Sequence, residues 1–264
     1  MPTPRAFLAA LTVLVAVGLS RHARAQELET ETSRSLEPGQ LEAGAGFEYQ
    51  LSADGTEAAL PLFAEAGLVD RVELLVEPVV FAHIAPASGA GATGFGDVEA
   101  TVTGRVVDEG ARIPAIALAG EVKLPAARDP QIGTGKTDAT FYVILSKRFG
   151  RLDTHLNGGY AIIGAPDAIM IPVKNIWSAA AAGRLELGRV DVFAEVLGNT
   201  GAVPDAEGSA FSEVTGAELV GTIGGGYRLT RSVLLSLGVS VDNNAAVLLH
   251  PGVTIFSDGW STRR

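Results

Sequence analysis

Cysteine is absent from the 264-residue chain, which excludes disulfides and thiolate metal sites alike. Histidine is scarce, with four residues and no H-E-x-x-H or similar ligand spacing, so neither a metal nor a cofactor is expected. Bases are outnumbered, 20 Lys and Arg against 30 Asp and Glu, which removes the basic face that nucleic-acid binding requires. Aromatic residues make up only 6%. After residue 20 there is no continuous apolar run that could form a membrane helix, and no helical periodicity of useful length.

The N-terminus supplies the one long apolar run. Arg5 precedes the 15-residue stretch "AFLAALTVLVAVGLS", and Ala23-Arg24-Ala25 follows as an A-x-A cleavage site. The run is short of the ~20 residues that a spanning helix needs and reads as a secretory signal peptide over residues 1–25, cleaved after Ala25. Its removal takes away three arginines and no acid, which shifts net charge from −10 to −13. Yet 47% of the chain is hydrophobic and mean hydropathy is +0.27. An acidic exported protein with so much apolar surface and no helical span must place that surface on strands.

The periodicity agrees. From Leu41 the chain reads "LEAGAGFEYQL", with Leu41, Ala43, Ala45, Phe47, Tyr49 and Leu51 on one face and Glu42, Glu48 and Gln50 on the other. A period of two marks a strand with one apolar side. The pattern recurs in "DVEATVTGRV", "IPAIALAGEVKL" and "VLLSLGVSVD". It predicts twelve strands, near 40–51, 58–69, 71–84, 96–108, 111–125, 137–149, 151–164, 172–186, 189–198, 214–228, 231–242 and 245–256. Such lengths exceed those of ordinary soluble strands and suit tilted membrane strands. Links after strands two, four, six, eight and ten are tight ("DR", "EG", "GR", "LGR", "TR"), and most of the others are longer, as in outer-membrane barrels. The predicted fold is therefore all-β, a transmembrane antiparallel up-and-down barrel over residues 39–257. Residues 26–38 form either a periplasmic segment or a small plug, and 258–264 a tail. The competing fold is a soluble sandwich or lipocalin-like protein, which would also alternate.

In a barrel the polar face lines the lumen. That register places Glu48, Glu65, Glu73, Asp97, Glu99, Glu121, Asp138, Asp153, Asp191, Glu195 and Glu218 inside, with Arg105, Lys123, Arg148, Arg184, Arg228 and His155 among them. Glu42, Glu77, Lys174 and Asp242 share that face. Acids dominate, so cations or neutral polar solutes are favoured over anions. Twelve strands make a narrow barrel, and an open pore and an interior packed with ion pairs both remain open. A hairpin over Gly150-Arg151 sets Arg148 opposite Asp153 and Ser146 opposite His155. Ser146, His155 and Asp153 are read as polar lumen residues rather than a hydrolase triad, and no catalytic site is expected. Phe47, Tyr49, Phe141, Trp177 and Tyr227 fall on the lipid face as a sparse aromatic girdle.

"PQIGTGKTD" at 130–138 ends like a phosphate-binding loop, but Pro130 stands where the leading glycine belongs, and strand patterns flank it on both sides. It reads as an external loop with Gly133 and Gly135 at its turn, placing Lys136 and Asp138 at the pore mouth.

Four motifs from 94 onward carry a resemblance: Gly94–Asp97 (GFGD), Lys123–Pro125 (KLP), Gly133–Asp138 (GTGKTD) and Ser146–Gly150 (SKRFG). They resemble the bacterial outer-membrane barrel family named for the MetA pathway of phenol degradation, over about residues 36–256. The resemblance implies a transporter-like barrel in the outer membrane of a Gram-negative bacterium that passes small solutes, aromatic compounds included. Its partners would be the lipid bilayer, a small-molecule solute and the barrel-assembly machinery, with no nucleic acid. The alternatives are a plugged structural or adhesion-type barrel and a soluble periplasmic ligand-binding β-protein. The run past Phe256 into "SDGWSTRR" departs from barrels that end on a terminal aromatic.

Overall fold

The computed structural model describes residues 30–165, 173–202 and 217–257. Residues 1–25, read in the sequence as a signal peptide, residues 26–29 and the stretch 258–264 lie outside that set. The described residues form a single antiparallel sheet of fourteen segments. In chain order these are β1 Leu41–Gly46, β2 Glu48–Leu51, β3 Gly55–Val69, β4 Val72–Pro86, β5 Ala92–Gly94, β6 Val98–Val107, β7 Ala115–Leu124, β8 Asp138–Phe149, β9 Leu152–Ile162, β10 Ile176–Leu187, β11 Val190–Asn199, β12 Glu218–Arg228, β13 Val233–Asp242 and β14 Val247–Phe256. β1 and β2 are two halves of one strand broken at Phe47, and β5 and β6 two halves of another broken at residues 95–97. Twelve staves result. β14 pairs with β1 through Glu42↔Phe256 and with β2 through Gln50↔Leu248, which closes the sheet into a barrel. Closure pairs the edge strands and so leaves no open ladder in lipid.

The apolar face points outward. Along β8, Phe141 and Val143 are exposed while Thr140, Ile144 and Ser146 are buried; along β11, Val192 and Val196 are exposed while Asp191, Phe193 and Glu195 are buried. An inside-out pattern of this kind is what a hydrocarbon solvent selects. Of the expected girdle, Phe141 and Trp177 are exposed on either side of Tyr160: Phe141 pairs with Tyr160, Tyr160 pairs with Trp177, and the last two rings lie 4.6 Å apart.

The structure departs from the sequence pattern at several points. The link after β6 spans residues 108–114 rather than two residues, and the first external link, 52–54, is short. Lys174 precedes β10, which starts at Ile176, and its N–H donates to the Ala202 carbonyl; a loop position thus replaces the expected lumen position. Asp97 sits in the break between β5 and β6 instead of in a continuous strand. The breaks reflect proline and glycine in the affected sector, where a regular ladder loses donors.

The exposed face must tolerate no charge. Val143, midway along β8 and 49% exposed, tests this: Val143→Arg is expected to cost about 2–4 kcal/mol in vesicles. Urea unfolding of the barrel refolded in phospholipid vesicles measures it, and an unchanged midpoint would mean that this face does not meet lipid.

Candidate functional site: the lumen and the segment inside it

Apart from Asp97 and Lys174, which lie outside the strands, pairing registers place the acids and bases of the sequence pattern on one parity, the inward one. Glu48 opposes Ala59, Glu65 opposes Glu42, Glu73 opposes Thr103, and Glu99 opposes Lys123, which in turn opposes Asp138. Glu121 opposes Thr101, and Arg105 opposes Ala117. Across the next hairpins Arg148 and Arg184 both oppose Asp153, His155 opposes Ser146 and Ala182, and Asp191 opposes Glu186. Glu195 opposes Thr222, Glu218 opposes Asn199, and Arg228 opposes Leu234.

The arginines are segregated along the axis, whereas acids stand at both ends. At the end of the tight hairpin turns, read as the periplasmic one, Arg105, Arg148, Arg184 and Arg228 stand beside Glu42, Glu73, Asp153 and Asp191. At the external end are Glu48, Glu57, Asp97, Glu99, Glu121, Glu218 and Asp242, with Lys123 among them. Lys123 pairs with Asp138 and lies 3.9 Å from Asp97, and its ammonium donates to Thr134 Oγ1 at 3.1 Å. Among the described residues the lumen contains adjoining cavities of about 280, 370 and 300 Å³, the first of which extends past mid-barrel to Ser236 and Thr254. Glu48, Glu77, Asp97, Glu99 and Glu121 line the first; Glu195, Glu218 and Asp242 line the third.

The 130–138 loop takes part in this mouth. Asp97 Oδ1 accepts the N–H groups of Ala126 and Ala127 at 3.0 Å each, which ties the loop down onto the β5–β6 break. A side chain at Gly133 would strike Ala127 and the Asp97 carboxylate, and Gly135 has φ +65, so both glycines serve the fold of the loop. Ile132, Gly133 and Thr134 line the second cavity, whereas Lys136 is half-buried beside Gly164 rather than among the lining residues. Asp138 accepts the Gly164 N–H at 2.7 Å.

The periplasmic half of the lumen is occupied. The chain between Thr30 and Glu37 runs inside the barrel against inward-facing side chains, and it is held largely through its backbone. Thr30 N–H donates to Glu195 Oε2 at 2.6 Å, Ser33 N–H to Ser146 Oγ at 2.9 Å, and Leu36 N–H to Glu73 Oε2 at 2.7 Å. Asn157, with its amide turned to satisfy both groups, accepts the Glu31 N–H at 2.6 Å and donates to the Glu31 carbonyl at 3.0 Å. Gly67 leaves room for the segment: a side chain there would overlap the Glu37 and Leu36 carbonyls. Glu31 reaches the floor of the first cavity.

One side chain of the segment carries a strong ionic contact. Arg34 donates both Nη1 bonds to Asp153, at 2.5 and 2.6 Å, and an Nη2 bond to Glu109 at 2.7 Å. Arg34 thus joins two carboxylates, one through each terminal nitrogen, and such charge-assisted bonds are stronger than neutral ones. Arg148 also reaches Asp153, at 3.0 Å, and Glu186, at 2.9 Å. Glu109 lies in the β6–β7 turn, outside the spanning strands. Partial desolvation would raise its pKa, but the Arg148 N–H and the Arg34 and Lys147 side chains outweigh that and hold the carboxyl down at about 2.

Ser146, His155 and Asp153 do meet. Ser146 Oγ lies 2.8 Å from His155 Nδ1, and Asp153 Oδ1 lies 3.9 Å from His155 Nε2. Ser146 is 1% exposed and accepts the Ser33 N–H, so its hydroxyl is committed to holding the N-terminal segment. His83 and His250, which look isolated in sequence, each bond a hydroxyl on a neighbouring strand: Thr93 at 2.7 Å and Ser240 at 2.7 Å. The sequence pattern missed the bulky groups inside. Phe63 and Phe193 point inward on the polar parity, each facing a glycine in register, Gly44 and Gly224. A glycine opposite an inward phenylalanine is the signal that could have found them.

No family profile matches the chain, and no curated protein matches it in sequence. Solved structures do match. An outer membrane channel from Pseudomonas putida F1 is 12% identical with a TM-score of 0.67, covering 87% of this chain and 100% of that one. The NanC porin is 9% identical with a TM-score of 0.56, covering 81% and 98%. The KdgM porin in complex with disordered oligogalacturonate is 8% identical with a TM-score of 0.54, covering 80% and 98%. The chain thus has the closed twelve-stranded antiparallel architecture of porin-like outer-membrane barrels.

Proposed function

We propose that the protein is an outer-membrane channel for small solutes, selective against anions, whose axial route is closed by its own N-terminal segment. The observation that carries this reading is the axial split of the lumen. Acid-lined cavities lie toward one end, and the chain from Thr30 to Leu36 is hydrogen-bonded to inward side chains on the other side of them, which supports an axial route closed by the segment. The signal peptide read in the sequence and the lipid-facing barrel surface support an outer-membrane location. Folding there would call on the barrel-assembly machinery.

A mouth lined with carboxylates concentrates cations and repels anions, because the low-dielectric wall focuses their field into the lumen. The KdgM porin was solved in complex with disordered oligogalacturonate, whereas the carboxylates that line the cavities here argue for solutes that are not anionic. The solute class supported is therefore cationic or neutral and small. The motif resemblance adds aromatic compounds to that class. Ser146 and His155 are assigned a holding role, with no reaction.

The decisive experiment is conductance in planar bilayers of the full mature chain and of a variant lacking residues 26–36. The shortened barrel is expected to conduct more and to show a cation-selective reversal potential, with Glu99→Gln/Glu121→Gln reducing that selectivity. Equal, absent conductance in both would sink the channel reading in favour of a structural barrel, and anion selectivity would overturn the charge argument.

Acid should release the segment. Glu109 has a pKa depressed from 4.5 to about 2, so it supports the latch fully above pH 4.5 and loses that support as pH falls toward 2. Conductance of the full chain is expected to stay flat from pH 7 to 4.5 and rise below it, and Glu109→Gln is expected to show raised conductance already at pH 7. A flat profile down to pH 2 would remove Glu109 from the latch.

A further inference from the structure

The hairpin turns at one end of the barrel share a residue. The links β3–β4, β6–β7, β8–β9, β10–β11 and β12–β13 carry Arg71, Arg112, Arg151, Arg189 and Arg231, one each, and all five are exposed. Among the described residues these links are the hairpins of that side; at the remaining junction β14 ends and β1 begins. On the opposite side the links 52–54, 87–91 and 243–246 contain no base. Turn geometry does not ask for arginine. Gly150 and Gly188 take the left-handed positions of their turns, and Arg71 itself sits at φ +66, where glycine or asparagine is less strained.

Arg71 is tied to Asp108 at 2.5 Å. The side chains of Arg112, Arg151, Arg189 and Arg231 have no hydrogen bond or ion pair among the described residues. The acids nearest them are engaged by other bases: Asp108 by Arg71 and Arg105, Glu109 by Arg34 and Lys147, and Glu186 by Arg148. The four turns are consecutive from β6 to β13, so the free arginines form a positive arc. Neighbouring hairpins along it are roughly 10 Å apart, two strand spacings. Directly above each turn the lipid-facing side is apolar. Val106 and Ile113 flank the first, Phe149 pairs with Leu152 above the second, Leu187 pairs with Val190 above the third, and Leu229 enters the fourth. All seven are exposed, from 38% for Leu152 to 60% for Phe149, so the arginines stand where hydrocarbon gives way to headgroups.

We propose that the arc of Arg112, Arg151, Arg189 and Arg231 seats anionic phospholipid headgroups in the leaflet on the turn side, read as the periplasmic one. A guanidinium presents a fork of N–H donors that fits two oxygens of a phosphodiester, a match that an ammonium lacks. Each of these turns carries arginine and none carries lysine, which favours phosphate as the acceptor. A phospholipid meets both halves of the surface together, its acyl chains on Phe149, Leu152, Leu187 and Val190 and its phosphate at the turn. A soluble anion meets only the arginines. A zwitterionic headgroup brings its own ammonium against the arc, whereas a net negative one leaves the attraction unopposed. Seated along eight of the twelve staves, such lipids fix the depth at which the turns sit in the leaflet.

The test reconstitutes the full mature chain in phosphatidylcholine vesicles with a trace of spin-labelled phosphatidylglycerol or spin-labelled phosphatidylcholine. Electron spin resonance reads the share of each label that the protein surface holds immobile. The wild type is expected to hold more phosphatidylglycerol than phosphatidylcholine, with the difference shrinking in high salt. Arg112→Gln/Arg151→Gln/Arg189→Gln/Arg231→Gln is expected to hold the two equally, each seated headgroup losing about fivefold in affinity, which corresponds to one arginine at an anionic surface. Arg128→Gln/Lys174→Gln, a pair of exposed bases on the external side, is expected to keep the preference. Heat-modifiable migration on gels shows that each variant is folded. A preference equal in the wild type and the quadruple variant, or one abolished by the external pair instead, overturns the proposal. So does its loss to inorganic phosphate at an ionic strength where chloride leaves it intact, which would mark a site for free anions. Arginine-dependent co-sedimentation with peptidoglycan sacculi in the absence of any lipid preference would also overturn it, in favour of the cell wall as partner. None of these readouts is an ion current, so failure here and failure of the channel reading are told apart.

Discussion

Hydrocarbon offers no hydrogen bonds, so each backbone amide and carbonyl in the bilayer has to find its partner within the protein. Pairing of β14 with both halves of the first strand meets that demand, and the remaining architecture follows from it. Closure turns one face of every strand to lipid and the other to a narrow lumen. The outward face could then be built of Val, Leu and Phe, while the inward face had to accommodate charge, large rings and a stretch of the chain itself. The wall tolerates departure from regular pairing only where something replaces the missing bonds, as at the strand breaks at Phe47 and 95–97, where the amides of Phe47, Val79 and Gly96 keep bridging bonds.

Inside, the governing quantity is how buried charge is compensated. Burying an ion is costly unless it is paired and hydrogen-bonded. Asp153 is the clearest case, since it receives Arg34 and Arg148 together. Removing Arg34 would leave that site with one guanidinium in place of two, in a place that water reaches poorly. The external acids are compensated differently, by proximity to solvent-filled space and by Lys123, which pairs with Asp138. Two electrostatic regimes thus share one tube: a cross-linked base and a field-rich entrance.

The barrel was legible in the sequence because few folds besides a closed barrel sustain a period of two over ten or more residues in strand after strand. Residues that obey the alternation, such as Glu99, Glu121 and Arg148, could be assigned to the lumen from parity alone, and the hairpin at Gly150-Arg151 set Arg148 against Asp153. Position within the lumen was not legible. Parity carries no information about which segment from elsewhere fills the space, so nothing in "QELETETSRSLEP" announces that Thr30 will meet Glu195, 165 residues away. Nor does it register a break within a strand. Asp97 looks like any other inward acid in "GFGDVEA", and its part in tying down the 125–137 loop depends on backbone amides of Ala126 and Ala127 that leave no mark in sequence. The phosphate-loop look of "GTGKT" comes from glycines that the loop needs for its own geometry.

The barrel grips its N-terminal segment mainly by the main chain: the amides of Thr30, Glu31, Ser33 and Leu36 are bound, and Arg34 adds the principal side-chain anchor. Recognition of that kind is blind to most side chains. The segment is therefore free to drift in sequence between related proteins while keeping its seat, provided an arginine stays in step with Asp153. By the same logic the seat resembles a receptor for extended peptides, occupied by the nearest one available.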